Sequence, residues 1–325
     1  MAESFRLAAV PAVVFLAGSL AVTGLVHADN WPVKPIRAFI PFAAGSATDI
    51  IPRAVFDQVG PALGQPIVVE NRGGAGGALG VGEVTRAEPD GYTILADSSA
   101  LTIAPYIVPN LPYDTEKDLA AVIPLGKNAN VLTVNPAKGW KTAQDLVAAA
   151  KANPGSLNYG SAGVGTATHV SAERFRISAG FEASHIPYKG GAEALTDLLG
   201  GRIDFYYCPI STALPLIREG RLTALAVSTP TRAADLPDVP TSIEAGYPHS
   251  DYTVWYGIFM PGQTPRDVIQ QFYSVAAGVL HTPVMKQRLA QLAVDPLPMT
   301  PEQFDKYVAA DTAANGKLFK VPAPK

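Results

Sequence analysis

Phe39-Ile40-Pro41-Phe42-Ala43-Ala44-Gly45-Ser46-Ala47-Thr48-Asp49 is the stretch whose reading decides the fold. The apolar run ending at Phe42 predicts a buried strand, and the residues from Asp49 onward predict an amphipathic helix. Between them stand small residues, hydroxyls and one acid, with no bulky side chain to cover the backbone. A strand that enters a helix through such a turn presents free N–H groups, because the first helical turn has no internal partners for them. The helix dipole adds partial positive charge there. The turn is therefore an anion seat, contributing roughly 0.3–1 kcal/mol, or up to about 2 when partly buried. Plain helix capping by Ser46 and Thr48 is the alternative reading.

Outward from that turn, strands and helices alternate. Residues 36–41 read as a strand and 49–63 as a helix. Pro52 suits a first turn, which places the helix start no earlier than about Thr48. A strand at 67–70 leads into Asn71-Arg72-Gly73-Gly74-Ala75-Gly76-Gly77, a second bare loop, and then a helix to about Arg86. A third strand at 92–96 ends at Asp97-Ser98-Ser99. Three such units predict a parallel sheet wrapped by helices, with ligands gathering beyond the carboxyl ends of the strands.

From about Asn130 the pattern restarts. Strands are expected at 131–134, 157–159, 183–186, 203–208 and 222–227, with helices between them. Gly160-Ser161-Ala162-Gly163-Val164-Gly165-Thr166 forms a second strand-to-helix turn of the same kind. A Pro-rich stretch at 236–240 precedes a strand at 254–260 and three closing helices. That tail is too short for a domain of its own and is expected to return to the first one. The fold class is thus α/β, with two α/β domains joined by a hinge around a ligand cleft. The expected division is 1–28 signal peptide, 29–128 first part of domain 1, 129–240 domain 2, and 241–325 back to domain 1.

The signal peptide reading rests on Arg6, the apolar run at 7–26, and the small-x-small site Val26-His27-Ala28. Cleavage after about Ala28 would deliver the chain to the periplasm. The single cysteine, Cys208, argues against a disulfide framework or a thiolate metal site. Charged residues make up 16% of the chain and the net charge is −3 with His neutral, so nucleic acid is not an expected partner. Neither strand-to-helix turn, at 43–49 or at 160–166, contains Lys or Arg, which argues against a phosphate clamp, and the Gly-rich loops at 73–77 and 160–165 lack the nucleotide signatures. Neither reads G-x-G-x-x-G, no Gly-Lys-Ser/Thr follows, and H-E-x-x-H is absent. No cofactor and no metal are expected. A secreted hydrolase is the competing class, because a triad need not leave a local signature, but no serine stands in Gly-x-Ser-x-Gly.

The order of motifs resembles the solute-binding receptors of tripartite tricarboxylate transporters, the Bug or TctC-like family. The likeness is carried by the stretches at 41–49, 69–77 and 160–166 with His169, by His185-Ile186-Pro187-Tyr188-Lys189-Gly190, and by Gly200-Gly201-Arg202-Ile203-Asp204. The stretch 236–241 with Glu244-Ala245-Gly246 completes it. The resemblance implies a binding protein without enzyme activity that captures a small carboxylate. It also implies delivery to membrane permease subunits or to a sensor kinase. Carried over by position, Ser46, Ala47, Thr48 and Asp49 would form one jaw, Ser161, Gly163, Gly165 and Thr166 the other, with Ser98 beside them. Ser46 departs from the glycine that the family commonly has there, which narrows the seat and adds a hydroxyl.

Three further residues are candidates on their own chemistry. His169, one turn into its helix, reads as a structural histidine with ligand contact as the alternative. Tyr188 either walls the pocket or fills core. Asp204 reads as a strand-start or hinge residue, with selection of an amino group as the second reading. Lys189 and Arg202 read as solvated surface positions.

Overall fold

The computed structural model describes residues 31–319; the signal peptide and its cleavage site at 1–28 lie outside them. In chain order the elements are β1 Ile36–Ile40, α1 Ala47–Leu63, β2 Ile67–Asn71, α2 Ala78–Thr85, β3 Thr93–Ser98, α3 Ala104–Ile107, α4 Thr115–Asp118 and β4 Leu119–Asn128. There follow β5 Asn130–Val134, α5 Ala143–Ala152, β6 Asn158–Ser161, α6 Ala167–Ala179, β7 Ser184–Pro187, α7 Gly191–Leu199, β8 Phe205–Pro209, α8 Ile210–Arg218 and β9 Thr223–Val227. The chain closes with β10 Val254–Pro261, α9 Arg266–His281, α10 Pro283–Gln291 and α11 Pro301–Phe319.

These strands build two five-stranded sheets, ordered β2-β1-β3-β10-β4 and β7-β6-β8-β5-β9. The first is mixed rather than parallel. β1 pairs in parallel with β2 and β3, whereas β10 runs antiparallel to β3 and β4. β10 arrives from the other lobe instead of through a local crossover helix, so nothing imposes the parallel direction. β4 escapes the sequence reading because Pro124 and Gly126 interrupt its apolar run. Its place on the sheet edge tolerates the proline, and a register shift between Tyr256 and Gly257 of β10 absorbs the irregularity.

The first lobe packs α1, α9 and α10 on one face, around Ile40, Ile51, Val55, Ile258 and Phe272. The opposite face holds α2 and α11 around Trp255, Phe259 and Phe304. The second lobe buries Tyr159, Phe175, Phe205 and Tyr207 on one face of its sheet and Tyr206, Cys208 and Leu198 on the other. Residues 241–247, expected to have rejoined the first domain, stay with the second lobe. Thr241 bridges Val227, and Ala245 and Tyr247 pack into the Phe175 core. The return crossing falls at residues 250–254, beside the outward crossing at 128–130.

Those two crossings are tied by Ser228. Its Oγ donates to the Tyr252 carbonyl at 2.6 Å and accepts the Asn130 N–H at 3.0 Å. Its backbone N–H donates to the Asn130 carbonyl at 2.8 Å, and Tyr252 N–H donates to the Ser228 carbonyl at 2.5 Å.

Candidate functional site

α1 starts at Ala47, with Ser46 as its N-cap in extended conformation, and the Ser46 side chain takes no first-turn N–H. Pro52 therefore stands at the sixth helical position, deeper than expected, where its missing N–H leaves the Thr48 carbonyl without that partner. Gly45, at φ +81°, turns the chain into this start. Asp49 holds the loop from behind. Its carboxylate accepts from Gly45 N–H at 2.9 Å, Arg53 Nε at 2.7 Å and Asn71 Nδ2 at 2.9 Å. Burial pushes its pKa up, but the hydrogen bonds from Asn71, Gly45 and Arg53 outweigh this and hold the carboxyl below its ordinary range.

The second turn has the same form. Thr166 caps α6 in extended conformation and its hydroxyl also leaves the first-turn N–H groups free, since it donates to the Gly163 carbonyl at 2.8 Å. Ser161 Oγ accepts from Gly163 N–H at 3.1 Å, donates to the Gly163 carbonyl at 3.0 Å and lies 2.7 Å from His185 Nε2. Gly165 N–H donates to His169 Nδ1 at 3.1 Å. The rings of His169 and His185 stack 4.1 Å apart, and His185 stacks on Tyr159 at 4.9 Å. Burial, then the neighbouring His169, pushes His185 down to about 4. Burial lowers His169 too, against the pull of Glu173.

Both turns face one cavity of about 260 Å³ between the lobes. Ser46, Ala47, Thr48 and Ser98 line it from the first lobe, and Thr166, Ala167 and Thr168 from the second. α7 and α8 also begin there, through Gly191, Ala192 and Thr212, and neither has a side-chain cap. Phe42, Leu195 and Val254 supply apolar wall. No ionisable acid or base other than tyrosine lines the cavity, so the positive potential comes from backbone dipoles.

Several sequence candidates lie elsewhere. Asp49 supports its loop from below. Ser161, Gly165 and His169 hold the second loop in shape, which makes His169 the structural histidine. Gly163 and Tyr188 line an outer cavity of about 710 Å³ that shares Phe42 and Ala162 with the inner one. Tyr188 Oη donates to Asp197 at 2.7 Å. Asp204 pairs with Lys138 and accepts from Asn158 N–H at 2.7 Å, a local tie at the strand start. Lys189 is exposed at the outer cavity, and Arg202 is exposed and paired with Asp197.

Asn130, Thr168, Tyr206 and Tyr256 line the inner cavity and were not among the sequence candidates. Asn130 begins a strand at the crossing, Tyr206 sits within an aromatic run, and Thr168 lies two positions beyond the 160–166 stretch. The Tyr256 hydroxyl donates to Asn128 Oδ1 at 3.2 Å, and the residue walls the cavity. A separate apolar cavity of about 610 Å³ beside α9 and α10 has no unpartnered buried polar side-chain atom among its lining residues. Among the described residues no group of histidine, cysteine or acid could hold a metal ion, and no helix is long and apolar enough to cross a membrane.

Two sheets joined by paired crossings, with a polar-ended cavity between them, define a two-lobed solute-binding protein. Residues 51–322 match the tripartite tricarboxylate transporter family receptor, TctC, and the chain belongs to that family. BugT of Bordetella pertussis is 32% identical over 298 residues, covering 91% of each chain. A solved periplasmic transporter superposes with TM-score 0.86 at 38% identity, over 90% of this chain and 98% of that one. Rpa4515 of R. palustris, solved with adipate, gives TM-score 0.85 at 28% identity over 89% and 97%. MatC of Rhodopseudomonas palustris, with bound malate, gives 0.85 at 28% over 89% and 100%.

Proposed function

We propose that this protein is a periplasmic receptor that closes its lobes on a small organic carboxylate and delivers it to the permease subunits of a tripartite tricarboxylate transporter. The observation that carries this reading is the pairing of uncapped helix starts, α1 from one lobe and α6 from the other, at one cavity. A carboxylate presents acceptor lone pairs that such N–H groups satisfy, and two dipoles stabilise its charge without a buried cation. The adipate and malate held by the two R. palustris structures support the ligand class. The family supports the transporter as recipient.

A hydrolase reading would rest on the Ser161–His185 pair. Ser161 is fully buried, does not line the inner cavity, and already bonds both polar backbone atoms of Gly163. A nucleophile needs access to its substrate, and this hydroxyl serves the loop. The test is a thermal-shift screen of organic acids, aromatic acids and acidic amino acids, followed by prolonged incubation with the best ligand. An acid should raise the melting temperature increasingly with concentration, as for any ligand that binds only the folded state, and should be recovered intact. Stabilisation by sugars or cations alone would reject the carboxylate, and consumption of the acid would restore the enzyme.

A further inference from the structure

We propose that the ligand is a hydroxycarboxylate whose hydroxyl hydrogen is donated to Asn130 Oδ1; the inference rests on the carboxylate reading above and narrows it. Asn130 is fully buried at the start of β5 and lines the inner cavity. Its backbone N–H and carbonyl are both taken by Ser228. Its Nδ2 donates to Ser171 Oγ on α6 at 3.0 Å, and its Oδ1 is buried with no partner. Two more orphans line the same cavity, Ser46 Oγ and the hydroxyl of the fully buried Tyr206.

The three orphans differ in kind. A hydroxyl donates as readily as it accepts, so an ionised carboxylate satisfies Ser46 and Tyr206 just as it satisfies the helix N–H groups. An amide oxygen only accepts, and a carboxylate has no hydrogen to give it. An unsubstituted acid would therefore leave Oδ1 either unpaired, the costly half of hydrogen-bond energetics, or dependent on a trapped water that costs free energy to immobilise. A ligand carrying an O–H removes that penalty. An ammonium group is the other available donor, but no carboxylate lines this cavity to accompany a buried cation. A neutral hydroxyl is much cheaper to desolvate than a charge. The cavity suits a short acid, since about 260 Å³ equals the space of roughly eight or nine waters at about 30 Å³ each.

Titration calorimetry on the purified protein with matched acids tests this: propionate, lactate and alanine; succinate, malate and aspartate; glutarate, 2-hydroxyglutarate and glutamate. In the best-binding set the hydroxy acid should bind at least about tenfold tighter than its unsubstituted counterpart and tighter than the amino acid. That ratio should fall toward one both in Asn130→Ala and in the near-isosteric Asn130→Leu, neither of which offers an acceptor. Equal binding of hydroxy and unsubstituted acids, preference for the amino acid, or a ratio that survives in Asn130→Ala would overturn the inference while leaving the carboxylate reading standing. Absence of binding by every acid would remove both. Should Asn130→Ala not fold, the wild-type ratio and Asn130→Leu decide.

Discussion

Ala47 and Ala167 hold equivalent positions in the two lobes, each the first residue of its helix and each at the inner cavity. Their predecessors, Ser46 at φ −71°, ψ 161° and Thr166 at φ −70°, ψ 159°, have the extended backbone that a following proline requires. Ala47→Pro and Ala167→Pro thus remove one N–H each at the site where proline is best tolerated. Each should weaken carboxylate binding by about tenfold in calorimetry, the size of one charge-assisted hydrogen bond, with little change in melting temperature. Lys189→Ala, at the exposed rim, should change affinity less than threefold. Equal losses from all three would mean that a side-chain ion pair, not backbone, holds the anion.

Two ionisable groups, one half-buried and one buried, give opposite pH dependences. His185, held down at about 4, binds its proton less readily folded than unfolded. Its contribution to stability is complete above about 6.5 and is lost as pH falls from there toward 4. Asp97, fully buried and accepting Ser98 N–H, is pushed up to about 7 by burial. Its folded form prefers the proton, so stability falls as pH rises from about 4 to 7. Denaturant melts should show Asp97→Asn gaining on wild type as pH rises from about 4 to 7, and His185→Gln losing less than wild type between pH 6.5 and 4.5. Parallel curves for the variants and wild type would refute these assignments.

At the scale of elements, the hinge depends on Ser228. Its hydroxyl bonds both crossing strands, and neither the Asn130 N–H nor the Tyr252 carbonyl has water in reach at this fully buried position. Ser228→Ala should cost about 1–3 kcal/mol in urea unfolding, because it strands a buried donor. Ser228→Thr, which keeps the hydroxyl, should cost less. The elements themselves were largely legible: period and breakers locate β1, α1, β6 and α6, because strand-to-helix turns are written in local residues. β4 was not, since an edge strand with a bulge tolerates the proline and glycine that normally argue against a strand. The mixed direction of the first sheet was hidden for another reason. Antiparallel pairing of β10 joins residues more than a hundred positions apart, and no local pattern records it.

For the whole molecule, closeness of the lobes is set by glycines at their contact. A Cβ at Gly165 would run into Ile107 of the opposite lobe, and one at Gly76 would lie 2.8 Å from the Val164 carbonyl. Gly165→Ala should lower ligand affinity by at least about tenfold by holding the jaws apart, and adding Ile107→Ala should recover part of the loss. Unchanged affinity in Gly165→Ala would show that this contact is not needed for capture.

By itself, the sequence determined the alternation of strands and helices, the two bare turns that start α1 and α6, and the absence of Lys and Arg from both. These follow from residues within a few positions of each other, where backbone sterics and helix-end chemistry act. Only the tertiary structure decided which side chains face the ligand. Phe205 and Tyr207 enter the core of the second lobe while Tyr206 between them reaches the inner cavity. Alternation along a strand separates the two faces, but with both faces apolar it does not say which one meets the other lobe. Asn130 likewise becomes an unpaired acceptor only because Ser228 and Ser171, far along the chain, take its other groups. Hydrogen-bond satisfaction is a property of the assembled neighbourhood, and that neighbourhood exists only once the two lobes have packed.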